Sequence, residues 1–264
     1  MNSFCFEALK YFLLVLSGVV VSSVITALIS IMPQDEPFLK QIFLCPKCGK
    51  KKNPLWMLFF YGFCPSCKGK TSKRPLIIKF ATSLLYITLY LRFGFSVEFI
   101  AFAFLMSIFI VVFYIDLDYM VIPDMLVIAA SIGGILLFVY NIFHPLSIYG
   151  DSNWWTPLVG VAVGSGSLLL ISFLGSLYYK KDAMGMGDVL LFIPIGLYTG
   201  WRMTIMSLYL SILVGGVIVV TKLALKKLER DQPVPFGPFI VSGTYLAVMF
   251  GWGILRILMP GLFR

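Results

Sequence analysis

The sequence predicts an all-α polytopic membrane protein of about eight transmembrane helices, with a small polar loop after the first. Three observations lead there. Hydrophobic residues make up 59% of the 264 positions and charged residues only 12%, whereas a soluble domain is about 45–50% apolar and about 25% charged. The mean hydropathy is +0.94. The apolar runs recur at close to the ~20 residues a helix needs to cross a bilayer, leaving no hydrophilic stretch long enough for a second catalytic domain. Any chemistry must therefore come from helix ends and short loops.

The first span runs from about Ala8 to Met32 and stops at Pro33. Met1 to Lys10 carries little positive charge and no small-residue cleavage site follows, so it reads as an uncleaved span rather than a signal peptide. The polar segment from Gln34 to Pro75 holds Lys40, Lys47, Lys50, Lys51, Lys52, Lys68, Lys70, Lys73 and Arg74. Basic loops stay cytoplasmic, which puts the N-terminus outside. The chain thus divides into residues 1–33, a first span; 34–75, a cytoplasmic loop; and 76–264, the remaining seven spans.

Span two covers about Leu76 to Leu91, and span three, Val97 to Ile115, returns to the cytoplasmic side at Asp116. Span four begins at Pro123-Asp124 and ends near Phe143. The segment from His144 to Trp155 lacks lysine and arginine, and Trp154 and Trp155 suit the headgroup level of an outer loop. Span five, Pro157 to Tyr179, ends at Lys180-Lys181. Span six, Val189 to about Gly200, is short and interrupted by Pro194 and Gly196. Span seven, Met203 to Leu225, leads into Lys226-Lys227-Leu228-Glu229-Arg230, and span eight covers Phe236 to Met259. The net charge of +9 collects in loops on one side, as topology requires, so nucleic acid is not an expected partner. The lipid bilayer is.

Two aspartate stretches stand at the ends of apolar runs: Asp116-Leu117-Asp118, continuing to Ile122-Pro123-Asp124, and Gly185-Met186-Gly187-Asp188. A carboxylate at membrane depth costs about 2.5–3.5 kcal/mol on insertion scales, so it is a functional hypothesis by default. Paired carboxylates suffice for peptide hydrolysis. Two close like charges share one proton, so the ionised member draws a proton from water while the protonated one polarises the scissile carbonyl. Against this stand plainer roles: Asp124 complements the N-terminal dipole of span four, and Gly185-Met186-Gly187 is a simple turn. The functional reading of the glycines is an uncrowded path by which a peptide backbone approaches Asp188. His144, the single histidine, falls in an outer loop, which argues against Ser-His or Cys-His catalysis.

Cys45-Pro46-Lys47-Cys48 and Cys64-Pro65-Ser66-Cys67 form C-x2-C-x15-C-x2-C, the spacing of a four-thiolate Zn2+ site. Four protein ligands leave no open position, so the metal would be structural; reduced, unmetallated thiols are the alternative. Met184, Met186, Met203 and Met206 read as core. Pro235-Phe236-Gly237-Pro238-Phe239 reads as a rigid turn before the last span, bordering the site at most.

With these motifs in this order over nearly its whole length, the chain resembles the type IV prepilin peptidases, the leader peptidases of bacterial pilus, type II secretion and competence systems. The resemblance implies an aspartic peptidase of the bacterial inner membrane with Asp116 and Asp188 as its catalytic pair. Asp118, Asp124, Gly185 and Gly187 then support the site. It implies cleavage of a short basic leader from a prepilin or pseudopilin on the cytoplasmic side, and a peptidase domain over residues 76–264. It also implies N-methylation of the new terminus with S-adenosylmethionine, an activity it associates with the 34–75 loop. The family pattern Gly-Ser-Phe-Leu-Asn followed by Arg-Leu-Pro is matched at Gly18, Ser23 and Pro33 but not at Ser22, Thr26 and Ile31, and the stretch between the cysteine pairs is short. These departures bear on methyl transfer and leave the peptidase expectation untouched.

Two other classes compete. A transporter or channel would use the same aspartates as a proton or cation relay, but leaves the cysteine loop unexplained. A non-enzymatic assembly component would need the cysteines and not Asp188.

Overall fold

The computed structural model describes residues 2–32, 73–179, 185–226 and 233–258. Among them the chain is helical, with no strand, and seven helices are long and apolar enough to cross a membrane. They are α1 (Asn2–Ile31), α2 (Arg74–Phe93), α3 (Val97–Tyr119), α4 (Asp124–Phe143), α5 (Thr156–Tyr179), α6 (Met186–Ala224) and α7 (Gly237–Leu258), with a 3-10 turn at Ser147–Tyr149 before α5. The protein is an all-helical polytopic membrane protein. Cys45, Cys48, Cys64 and Cys67, and with them the expected metal loop, lie outside the described residues.

Helix α4 shows why these segments belong in lipid. Leu126, Ala130, Gly134, Leu137 and Asn141 are buried, while Met125, Ile128, Ile132, Leu136 and Val139 are exposed. Both sets follow helical spacing, so one face packs on protein and the other presents a continuous apolar stripe. In water such a stripe would be an aggregation hazard; against hydrocarbon it carries no penalty.

The chain divides into two compact units. The first spans Met1–Ala103 and Ser107–Tyr114. Here a Cβ on Gly18 of α1 would stand 2.7 Å from the Ser83 Cα of α2, so the two backbones meet closely because no side chain intervenes. Tyr86 joins α2 to α3 through Ser107, oxygen to oxygen 2.9 Å, and Phe93 stacks on Phe102 at 5.1 Å. On α1, the buried Ser22 donates to the Val19 carbonyl and Thr26 to the Ser22 carbonyl, so both hydroxyls are satisfied within their own helix.

The second unit, Phe104–Met106 with Ile115–Arg264, is built round α6. That helix packs on α4, α5, α7 and the 3-10 turn, and in its first limb Val189, Leu191, Phe192, Ile195 and Tyr198 are all buried. The sequence places two spans here and an interruption at Pro194 and Gly196. The structure carries the helix through both and breaks it at Gly200, the expected end of the first of the two spans, where φ is 67° and ψ 170°. Proline inside a membrane helix is tolerated when neighbours re-satisfy the backbone. Gly196 serves close packing, since a Cβ there would run into Gly160 and Val161 of α5. Gly200 has the backbone conformation that essentially only glycine adopts. The break leaves carbonyls of the preceding turn to find new partners; Tyr149 Oη donates to the Leu197 carbonyl at 2.7 Å. Asp151 secures the same end, accepting from Thr156 Oγ1 and from Arg202 Nη1 at 2.6 Å.

Candidate active site

Four helix ends meet at the other end of the first limb of α6, about 18 Å along the helix from Gly200. Helix α3 arrives carrying Asp116 on its last full turn. The sequence expects span three to end at Ile115, with Asp116, Asp118 and Asp124 flanking a tight turn before span four; α3 continues to Tyr119 and takes Asp116 and Asp118 onto the helix. Residues two apart on a helix face away from each other. Asp116 is accordingly buried, at 5% exposure, while Asp118 is exposed.

The chain then leaves α3 through Met120, which adopts φ 54°, the left-handed conformation usual after a helix C-terminus and normally given to glycine. Val121 and Ile122 follow without regular structure to Pro123, at φ −67° and ψ 125°, from which α4 starts at Asp124. Asp124 is exposed in the first turn of α4, where a carboxylate complements the helix dipole.

Helix α6 starts from Gly185, and the Asp188 N–H donates to the Gly185 carbonyl at 3.1 Å. Asp188 is half-buried. A Cβ on Gly187 would stand 3.0 Å from Ile122 Cβ, so this glycine lets the start of α6 close on the α3–α4 turn. A Cβ on Gly185 would meet, among the described residues, only Asp188 Oδ2, at an ordinary 3.5 Å.

The outcome is a cavity of about 380 Å3 lined by Asp116, Asp124, Gly185, Gly187 and Asp188, with apolar wall from Met120, Val121, Ile122, Met186 and Leu190. Asp116 and Asp188, distant in sequence and on different helices, are near enough for their charges to interact. Asp118 is not among the lining residues. Met203 and Met206 are buried as expected, but Met186, at the first turn of α6, is 59% exposed and forms cavity wall rather than core; Met184 lies outside the described residues. His144 is exposed at the end of α4.

One participant exceeds its sequence reading. The N–H of Gly237, the first residue of α7, donates to Asp116 Oδ2 at 2.9 Å. A Cβ at Gly237 would lie 2.7 Å from that same oxygen. The local sequence explains why this N–H is available. The first N–H groups of a helix have no intrahelical acceptor; Pro238 has none to offer, and those of Phe239 and Ile240 turn back to the Phe236 carbonyl. Gly237 remains, and Asp116 takes it. The Pro-Phe-Gly-Pro-Phe run was the available signal; its partner 121 positions away was not.

Residues 103–220 match the type IV leader peptidase family, a span that includes Asp116 and Asp188 and ends before Gly237. The prepilin leader peptidase/N-methyltransferase of Pseudomonas aeruginosa is 31% identical over 219 residues, covering 80% of this chain and 72% of that protein. The Bacillus subtilis protein of the same name is 28% identical over 217 residues, 80% of this chain and 82% of the relative. That of Aeromonas hydrophila is 27% identical over 219 residues, 80% and 72%. No solved structure matches this chain at a significant level. By these similarities the chain belongs to the type IV leader peptidase family.

Proposed function

We propose that this protein is an aspartic endopeptidase that removes the basic leader from type IV prepilins or pseudopilins at the cytoplasmic face of the bacterial inner membrane. The observation that carries this reading is the single cavity shared by Asp116 and Asp188. The pair holds one proton between them. The ionised carboxylate takes a proton from water as the water oxygen bonds to the scissile carbonyl carbon, and the protonated one delivers its proton to the carbonyl oxygen. Collapse of the tetrahedral intermediate breaks the C–N bond, and the amine leaves with a proton returned from the pair. The uncrowded position of Gly185 among the described residues and the apolar wall suit an extended peptide whose stem lies among the spans.

Exposed Asp118 and Asp124 supply negative charge for a basic leader. Charge reversal of the leader's basic residues is expected to raise KM about tenfold or more at low salt; an unchanged KM would remove this part of the reading. Residues 34–75 form a cytoplasmic loop closed by structural Zn2+ on Cys45, Cys48, Cys64 and Cys67, and 76–264 carry the peptidase. Purified protein should hold about one zinc per chain, and Cys45→Ser should lose it. Counting the two limbs of α6 as separate spans gives eight, with the N-terminus outside. Methyl transfer from S-adenosylmethionine rests on the names of the relatives alone.

Purified protein in liposomes, given a prepilin and S-adenosylmethionine, tests the reading by mass spectrometry of the product. Cleavage at the leader junction is expected, and an added methyl mass would establish the second activity. Proton-coupled flux without cleavage would favour the relay reading, which at present explains neither the cysteine loop nor the family membership.

A further inference from the structure

We propose that Gly237 is a positioning residue for this reaction: the start of α7 sets the orientation of Asp116. The inference rests on the peptidase reading above for its kinetic consequence, but not for its structural one. Two independent features of one residue support it. Its N–H is the outward-facing donor of the α7 N-terminus and reaches Asp116 Oδ2 at 2.9 Å. Its missing side chain makes room for the same oxygen, which a Cβ would approach to 2.7 Å. Gly237 has no positive φ that would demand glycine on backbone grounds, so the demand comes from the carboxylate. Asp188 differs: among the described residues no hydrogen bond to its carboxylate is found. Asp116 is thus held by backbone from the start of α7.

The fixed carboxylate offers a defined direction for the water it contacts, and reacting groups displaced by about 1 Å lose on the order of 100-fold in rate. Gly237→Ala keeps the N–H and adds only the Cβ. It should lower kcat about 100-fold with KM within threefold. Two glycines of the same unit serve as comparisons. A Cβ on Gly253, also on α7, meets nothing within 4 Å, whereas on Gly164 of α5 it would press on Thr204 and Phe192 at 2.7 and 2.9 Å. Gly253→Ala should leave kcat, KM and thermal unfolding unchanged. Gly164→Ala should lower the unfolding temperature while retaining kcat per folded molecule. If Gly237→Ala behaves like either, with kcat per folded molecule within threefold of wild type, the proposal is wrong.

A second measurement does not depend on that variant folding or on any substrate. With 15N-glycine labelling, the Gly237 amide proton of the wild-type protein should resonate downfield. It should shift upfield in Asp116→Ala and stay in place in Asp188→Ala. A Gly237 resonance indifferent to Asp116→Ala would overturn the proposal even if cleavage is observed. Conversely, the expected shift in a protein that cleaves no prepilin would retain the contact and discard the peptidase reading.

Discussion

Gly185 and Gly187 look equivalent in the sequence, as two glycines ahead of an aspartate, but they meet different neighbours. Ile122 crowds Gly187 at 3.0 Å, while Gly185 has ordinary space beside Asp188. Gly187→Ala should therefore destabilise the protein by about 1–3 kcal/mol through overpacking. Gly185→Ala should stay within about 0.5 kcal/mol and act, if at all, on cleavage. Thermal unfolding in detergent separates the two, and equal destabilisation would contradict the assigned contacts. Asp118, exposed and off the cavity wall, predicts a loss of less than about threefold in kcat for Asp118→Asn, since a charge that only attracts the leader is read in KM rather than in the chemical step. Cleavage rates check it directly. At this scale the aspartates were legible because a carboxylate beside an apolar run is costly and needs a reason. Gly237 was not, because its reason is a contact made only after folding.

Helix boundaries were largely legible, since about 20 apolar residues bounded by charge, proline or glycine admit few alternatives. Two features of α3 and α6 were not. Burial of Ile115 and Asp116 against the rest of the second unit extends α3 past the expected end to Tyr119. In α6, Pro194 and Gly196 were the obvious breakers, yet the helix runs through both; the break falls at Gly200, the expected end of span six, and is held by Tyr149, Thr156 and the Asp151–Arg202 pair packed round it. A Cβ at Gly200 would meet Thr156 Cγ2 at 2.8 Å and Tyr149 Cδ1 at 2.9 Å, in a backbone conformation side chains rarely adopt. Gly200→Ala should cost about 2–4 kcal/mol, and Arg202→Ala, which leaves Asp151 without its ion partner, about 1–3 kcal/mol. Both are read as lowered unfolding temperature. A Gly200→Ala protein as stable as wild type would mean that α6 is not broken there.

For the whole molecule, composition alone excluded a soluble enzyme, and the motif order pointed to a family that the comparisons then supplied. What no one-dimensional pattern contained was the meeting of Asp116 from the end of α3 and Asp188 from the start of α6 in one cavity. That meeting is the centre of the account. Single-turnover cleavage of a prepilin by folded wild type, Asp116→Asn, Asp188→Asn and the double variant in liposomes tests it most directly. Groups that act as a unit lose activity together, so each single variant should fall by at least about 1,000-fold and the double variant little further. A folded single variant that keeps cleavage within about tenfold of wild type would contradict it.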